Sequence, residues 1–98
     1  MKNKIMVFII YNRAIDEEMN DLMDSLDIKY YTKWTNVTGV GTKGPNFGDH
    51  VWPGLNNVLM IVIDEELRED ISSAIKNLRE KFPAVGLKAF VLPVIDTL

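Results

Sequence analysis

Ninety-eight residues can close one hydrophobic core and not two, so the sequence predicts a single domain over residues 1–98. The formal charge of −3 comes from 11 basic and 14 acidic residues without a lysine or arginine cluster, which argues against non-specific binding to nucleic acid or to an anionic membrane surface. The absence of cysteine excludes disulfides, thiol catalysis and cysteine-rich zinc sites, and it fits a reducing compartment.

Residues 5–10 are a continuous apolar run rich in isoleucine and valine, the pattern of a central strand covered on both faces. The run is too short for a signal peptide, and Tyr11, Asn12 and Arg13 follow it without a small-residue cleavage site. No stretch approaches the length of a membrane-spanning helix. The expectation is a cytoplasmic protein with no direct membrane insertion.

Ile15, Met19, Leu22, Met23 and Leu26 then repeat as one stripe of a helix. Asp16, Glu17 and Glu18 sit in its first turn, where the helix dipole favours acids. Residues 28–37 are rich in Tyr, Thr, Trp and Val, which predicts a strand, and its mixed faces place it at a sheet edge. Residues 35–54 hold five of the six glycines, two of the four prolines and the only histidine. No helical or strand periodicity runs through them, so they read as a long loop over about 38–55. A loop of this length that keeps Phe47, Val51 and Trp52 reads as functional.

Residues 58–63 are a second all-apolar run, hence a second central strand. Asp64 stands at the expected N-cap of the next helix. Leu67, Ile71, Ala74, Ile75, Leu78 and Phe82 form that helix's stripe and Pro83 stops it. Residues 87–92 are the last strand, at the other edge. By spacing, Met19, Met23 and Met60 belong to the core. The order is βαββαβ with a long loop between the second and third strands. Right-handed crossovers then give an α+β, ferredoxin-like fold, a four-stranded antiparallel sheet with two helices on one face. Apolar residues on both faces of the central strands predict that the face away from the helices packs against other subunits.

With this element order in place, the chain resembles the P-II signalling proteins over nearly its whole length. The segment 34–41, Trp-Thr-Asn-Val-Thr-Gly-Val-Gly, is similar to that family's strand-to-loop junction, Val-Thr-Glu-Val-x-Gly-x-Gly. The segment 86–94, Gly-Leu-Lys-Ala-Phe-Val-Leu-Pro-Val, is similar to its Gly-x-Lys-Ile-Phe-Val-x-Pro-Val. The resemblance implies a homotrimer that requires no cofactor and binds an adenine nucleotide (ATP, ADP or AMP) as effector between subunits. It further implies that the long loop regulates a partner, an enzyme or a membrane transporter. Carried over by position, it implies that Thr35, Gly39, Gly41, Thr42 and Lys43 lie near the nucleotide, joined by Gly86 and Lys88. Glycines let backbone amides approach phosphate closely, and lysine supplies a mobile charge.

There are departures from the family's pattern. These 98 residues hold no counterpart of its C-terminal phosphate-binding arginines; Asn56 stands where it has a lysine, and Lys43 where it has a glutamine. The loop holds no tyrosine, so uridylylation there is excluded. These changes favour a less charged adenine nucleotide, or another small ligand, over a triphosphate, and they speak against 2-oxoglutarate sensing.

Phe47, Asp49 and Trp52 are the expected partner contacts of the loop. Phe47, Trp52 and Trp34 are either an aromatic wall or the pins that hold the loop. His50 with Asp49 is the one metal or acid–base candidate, against a plain surface reading. It supports the alternative of a metal-responsive trimer, CutA-like or metal-efflux-associated. No serine has a partnered histidine, and the acids gather at helix starts, so no enzyme is expected.

Overall fold

A computed structural model describes residues 3–41, 44–46 and 54–98. Strand β1 (Lys4–Asn12) alternates strictly: Ile5, Val7, Ile9 and Tyr11 are buried, while Met6, Phe8 and Ile10 lie on the other face. A 3₁₀ turn at Arg13–Ile15 follows, with the Asn12 side chain accepting a hydrogen bond from the Ala14 amide. Helix α1 (Asp16–Ser25) buries Met19, Leu22 and Met23.

Helix α1 ends in a Schellman turn. The Ile28 amide bonds to the Met23 carbonyl at 2.9 Å and the Asp27 amide to that of Asp24 at 3.0 Å. Asp27 holds the left-handed position, φ 56°, that glycine usually takes. The turn buries Ile28, and residues 29–31 continue without regular structure. Strand β2 therefore starts later than its composition suggests, at Thr32–Val37.

Part of the expected loop is regular. Strands β3 (Gly39–Gly41) and β4 (Gly44–Asn46) form an antiparallel ribbon that pairs Gly39 with Asn46 and Val40 with Pro45. Periodicity could not reveal it, since three residues per strand carry too little pattern.

Strand β5 (Asn56–Asp64) pairs with β1 along its whole length, from Lys4 opposite Asp64 to Asn12 opposite Asn56. A second 3₁₀ turn, Glu65–Leu67, intervenes before helix α2 (Arg68–Lys81). Asp64 makes no side-chain capping bond, a correction to its expected role. Its carboxylate lies 2.7 Å from Lys4 Nζ instead. Helix α2 buries Ile71, Ile75 and Leu78. Strand β6 (Leu87–Val94) pairs antiparallel with β1.

The sheet order is β2-β5-β1-β6: the two apolar runs are central and the other two strands are edges, as their compositions predict. With both helices on one face, this is the ferredoxin-like α+β arrangement. The core lies between helices and sheet and includes Val7, Ile9, Met19, Leu59, Ile61 and Ile75. Met60 is not part of it. The register opposite Phe8 and Thr32 puts Met60 on the other sheet face, where it is half-buried. That face carries Met6, Phe8, Ile10, Val58, Met60, Val62, Trp34, Phe90 and Leu92. Val62 is 43% exposed, Trp34 45% and Phe90 52%. The face is thus apolar and open to solvent across all four strands.

Candidate functional site

One end of the sheet gathers the end of β1, the exit of β2, the start of β5 and the turn before β6. The Asn12 amide bonds to the Gly86 carbonyl and the Arg13 amide to that of Leu55, both at 3.0 Å. These bonds tie two chain segments, the turn before β6 and the approach to β5, to the end of β1. Strand β2 leaves through a bulge: Trp34 faces Val58 and Val37 faces Asn56, so the register shifts between them. Asn36 in that bulge has φ 57°. Its amide donates to Asn57 Oδ1 at 3.0 Å, and its side-chain oxygen accepts from Arg13 Nη1 at 3.1 Å.

Beneath this exit lies a polar cluster. Asp16 Oδ1 accepts from Tyr11 OH at 2.6 Å, Lys33 Nζ at 2.9 Å and Asn57 Nδ2 at 3.0 Å. Lys33 Nζ also donates to Asn20 Oδ1 at 2.7 Å. Burial by itself would push the Asp16 carboxyl up. The hydrogen bonds from Tyr11, Lys33 and Asn57 and the charge of Lys33 outweigh it, so the carboxyl sits below its ordinary value. Burial pushes the Tyr11 phenol well up, and its bond to the Asp16 carboxylate adds to the shift. Asp16 is thus more than a charge at a helix start; it is the acceptor that joins α1 to β1, β2 and β5.

The residues named for a nucleotide fall into two groups. Thr35 lies in the β2 bulge, with Gly39 and Gly41 on the ribbon that follows. Gly39 is tight, since a Cβ there would come within 3.3 Å of Asn56 Nδ2. Gly86 and Lys88 lie at the opposite edge, with Lys88 facing Ile10 across β6 and β1. A Cβ at Gly86 would meet nothing within 4 Å, so space within this chain does not demand glycine there. From β2 to β6 is three inter-strand spacings, roughly 14 Å. The two groups therefore do not meet within one chain. Thr42, Lys43, Phe47, Asp49, His50 and Trp52 lie outside the described residues.

Among the described residues no three His, Asp or Glu side chains converge as metal ligands. A groove of about 370 Å³ between α1 and α2, lined by Glu18, Leu22, Asn77 and Lys81 among others, contains none of the named residues. No helix among the described residues is long and apolar enough to cross a membrane.

Sequence reasoning missed Asn57, Asn36, Arg13 and Lys33. For Asn57 a signal existed: it stands two residues before Leu59 in the register of Ile61 and Ile63, which puts an amide on the face that becomes buried.

No family model matches the chain, and no curated protein matches it in sequence. Solved structures do. CPII, a nitrogen regulatory PII-like protein from Thiomonas intermedia bound to ADP, AMP and bicarbonate, is 23% identical with a TM-score of 0.74, over 94% of this chain and 86% of that one. A putative PII-like signalling protein from Thermus thermophilus is 24% identical with a TM-score of 0.70, over 95% and 88%. A functionally unknown protein from Pediococcus pentosaceus is 19% identical with a TM-score of 0.66, over 100% and 98%. At these identities the likeness is one of fold, and the fold is that of P-II-like proteins.

Proposed function

We propose that this chain is a single-domain, cytoplasmic P-II-like regulator. It assembles as a homotrimer, binds an adenine nucleotide between subunits and acts on a partner protein through residues 38–55. One observation carries the reading. Thr35 and Gly39 stand at one edge of the sheet and Gly86 and Lys88 at the other, so a ligand that uses both groups must draw one of them from a neighbouring subunit. The open apolar sheet face supplies the reason to associate, and the fold shared with a protein bound to ADP and AMP supports the class of ligand.

Regulation follows as a population shift. A nucleotide that contacts the loop base in one loop conformation more than in another favours that conformation, and the partner binds it selectively. The protein is no enzyme and needs no resident cofactor. Thr42, Lys43 and Gly41 complete the phosphate side, while Phe47, Asp49 and Trp52 face the partner.

The test is a thermal-shift panel of ATP, ADP, AMP, bicarbonate, 2-oxoglutarate and divalent metals, with Lys88→Ala and His50→Ala alongside. A ligand at about 100 times its dissociation constant stabilises the native state by about 2.7 kcal/mol, which a melting curve resolves. A shift with ADP or AMP that Lys88→Ala diminishes is the expected result. A shift with metal alone, lost in His50→Ala, would replace this reading with the metal-responsive one.

A further inference from the structure

The exit of β2 is built around an amide that the core has no packing reason to contain. Asn57 is 4% exposed and, the phenol of Tyr11 aside, is the one buried polar side chain among the described residues. An apolar residue in its register would extend the row of Leu59, Ile61 and Ile63, and a buried amide is tolerated only when its hydrogen-bonding groups are satisfied. Both ends of this one are used. Nδ2 donates to Asp16 Oδ1 at 3.0 Å and Oδ1 accepts from the Asn36 amide at 3.0 Å.

The second bond falls on the residue that turns the chain. Asn36 has φ 57°, a region that asparagine visits more readily than other side-chain-bearing residues and β-branched residues hardly at all. Across the bulge its amide bonds to a side chain, Asn57. On the far side of the turn Arg13 Nη1 holds its Oδ1 at 3.1 Å. Immediately beyond come Val37, opposite Asn56, and Gly39, where a Cβ would stand 3.3 Å from Asn56 Nδ2 and that side chain would have to give by a few tenths of an ångström.

We infer that Asn57 is a positioning residue for the effector site: it carries the fixed framework of Tyr11, Asp16 and Lys33 to the left-handed turn at Asn36, and so sets where Thr35 and Gly39 stand. This rests on the effector reading above. It assigns to Asn57 no contact with the ligand.

The test combines calorimetric titration with ADP and amide hydrogen exchange, on wild type, Asn57→Leu, Asn36→Val and Asn36→Gly. Asn57→Leu removes both bonds. Asn36→Val opposes the left-handed turn while leaving Asn57, Asp16 and Tyr11 in place, so it stays informative if Asn57→Leu fails to fold. Asn36→Gly permits the turn without a side chain. The expected result is a loss of ADP affinity of about tenfold or more in Asn57→Leu and Asn36→Val, as misplacing a binding group produces. Exchange at Asn36 and Val37 accelerates by about tenfold while Val7 and Leu59 keep wild-type protection. Asn36→Gly binds ADP within roughly threefold of wild type, because the turn survives. Wild-type affinity in Asn36→Val, or equal losses in Asn36→Val and Asn36→Gly, overturns the inference. If wild type binds neither ADP nor AMP, the effector reading fails, and exchange alone decides the positioning role. Acceleration confined to the turn sustains that role, and unchanged exchange overturns it.

Discussion

The Tyr11 hydroxyl donates a 2.6 Å hydrogen bond to Asp16 Oδ1, joining the end of β1 to the first turn of α1 across the intervening 3₁₀ turn. Tyr11 is fully buried while a third of the Asp16 side chain remains exposed. The pair is therefore a phenol taken out of water and given a partly solvated carboxylate as its acceptor. Each member shifts the other's titration, in opposite directions.

The Tyr11 phenol is held well above its ordinary value of 10.0 by burial and by Asp16. Folding thus favours the protonated phenol. Below pH 10 both folded and unfolded chains keep that proton and the contribution is complete; above it the unfolded chain releases the proton first, and stability falls as pH rises. Tyr11→Phe should lose about 1–3 kcal/mol at neutral pH from the missing bond to a charged acceptor and show a shallower decline above pH 10. Urea titrations at neutral and alkaline pH measure both. Parallel declines in wild type and variant would contradict this account of Tyr11.

Asp16 behaves in the reverse sense. Its carboxyl is held below its ordinary value of 3.8, so its contribution is present above that pH and is lost as pH falls through the lower, folded value. Asp16→Asn keeps an acceptor oxygen and removes the charge. With a third of the side chain exposed, the expected cost at neutral pH is about 1–2 kcal/mol. The gap between wild type and variant should narrow once the pH drops below 3.8, as acid unfolding curves of the two proteins would reveal. A gap that stays constant into acid would mean that the charge of Asp16 contributes nothing.

What the sequence makes legible follows from how many residues carry each signal. Six apolar residues in a row marked each central strand, and the stripes through Met19 and Ile75 marked the helices, because burial acts on every position of those patterns. Short features escaped. The ribbon Gly39–Gly41 with Gly44–Asn46 and the 3₁₀ turn at Glu65–Leu67 span three residues per element. Strand β2 begins at Thr32 because the Schellman turn at Asp27, a tertiary and capping effect, overrides the strand propensity of Tyr30 and Tyr31. Spacing puts Met60 in the core although it occupies the open face, since a run apolar at every position does not say which face the helices cover.

The candidate site divides in the same way. The sequence puts Thr35 in the second strand and Gly86 in the turn before the last one, as in the structure, but it reads Gly39 as loop where a short strand stands. It could not place the cluster beneath them. Lys33, Asp16 and Asn57 come from three elements, and their meeting depends on the register of β2 against β5, which the bulge at Asn36 shifts.

The left-handed C′ position at Asp27 offers a gain in stability. A side chain there is strained against the following carbonyl, at a cost of about 1–2 kcal/mol, which glycine avoids. The carboxylate contributes little in return, since it is 84% exposed and lies 3.7 Å from Lys29 Nζ. Asp27→Gly should therefore raise stability by up to about 1 kcal/mol, whereas Asp27→Val should lower it. Thermal melts of the two variants provide the comparison, and a destabilised glycine variant would show that the Asp27 side chain supports the turn.

The open sheet face yields the remaining prediction, which bears on the proposed trimer. Val62 lies on that face near the end of β5, opposite Met6 of β1, and is 43% exposed in the single chain. A charge there costs an isolated subunit little, because water still reaches it. Packed against neighbouring sheets, the same charge would be buried without a partner, at a cost of several kcal/mol in each subunit. Val62→Lys should consequently lower the mass measured by light scattering toward that of the 11.2 kDa chain. Its circular dichroism should stay that of wild type, since Val7, Leu59 and Ile61 on the opposite face are untouched. If wild type and variant show the same mass, this face is not where the subunits meet. If the variant alone is monomeric, ADP affinity should fall with the oligomer, because Gly86 and Lys88 of one chain would have lost the Thr35 and Gly39 of the next.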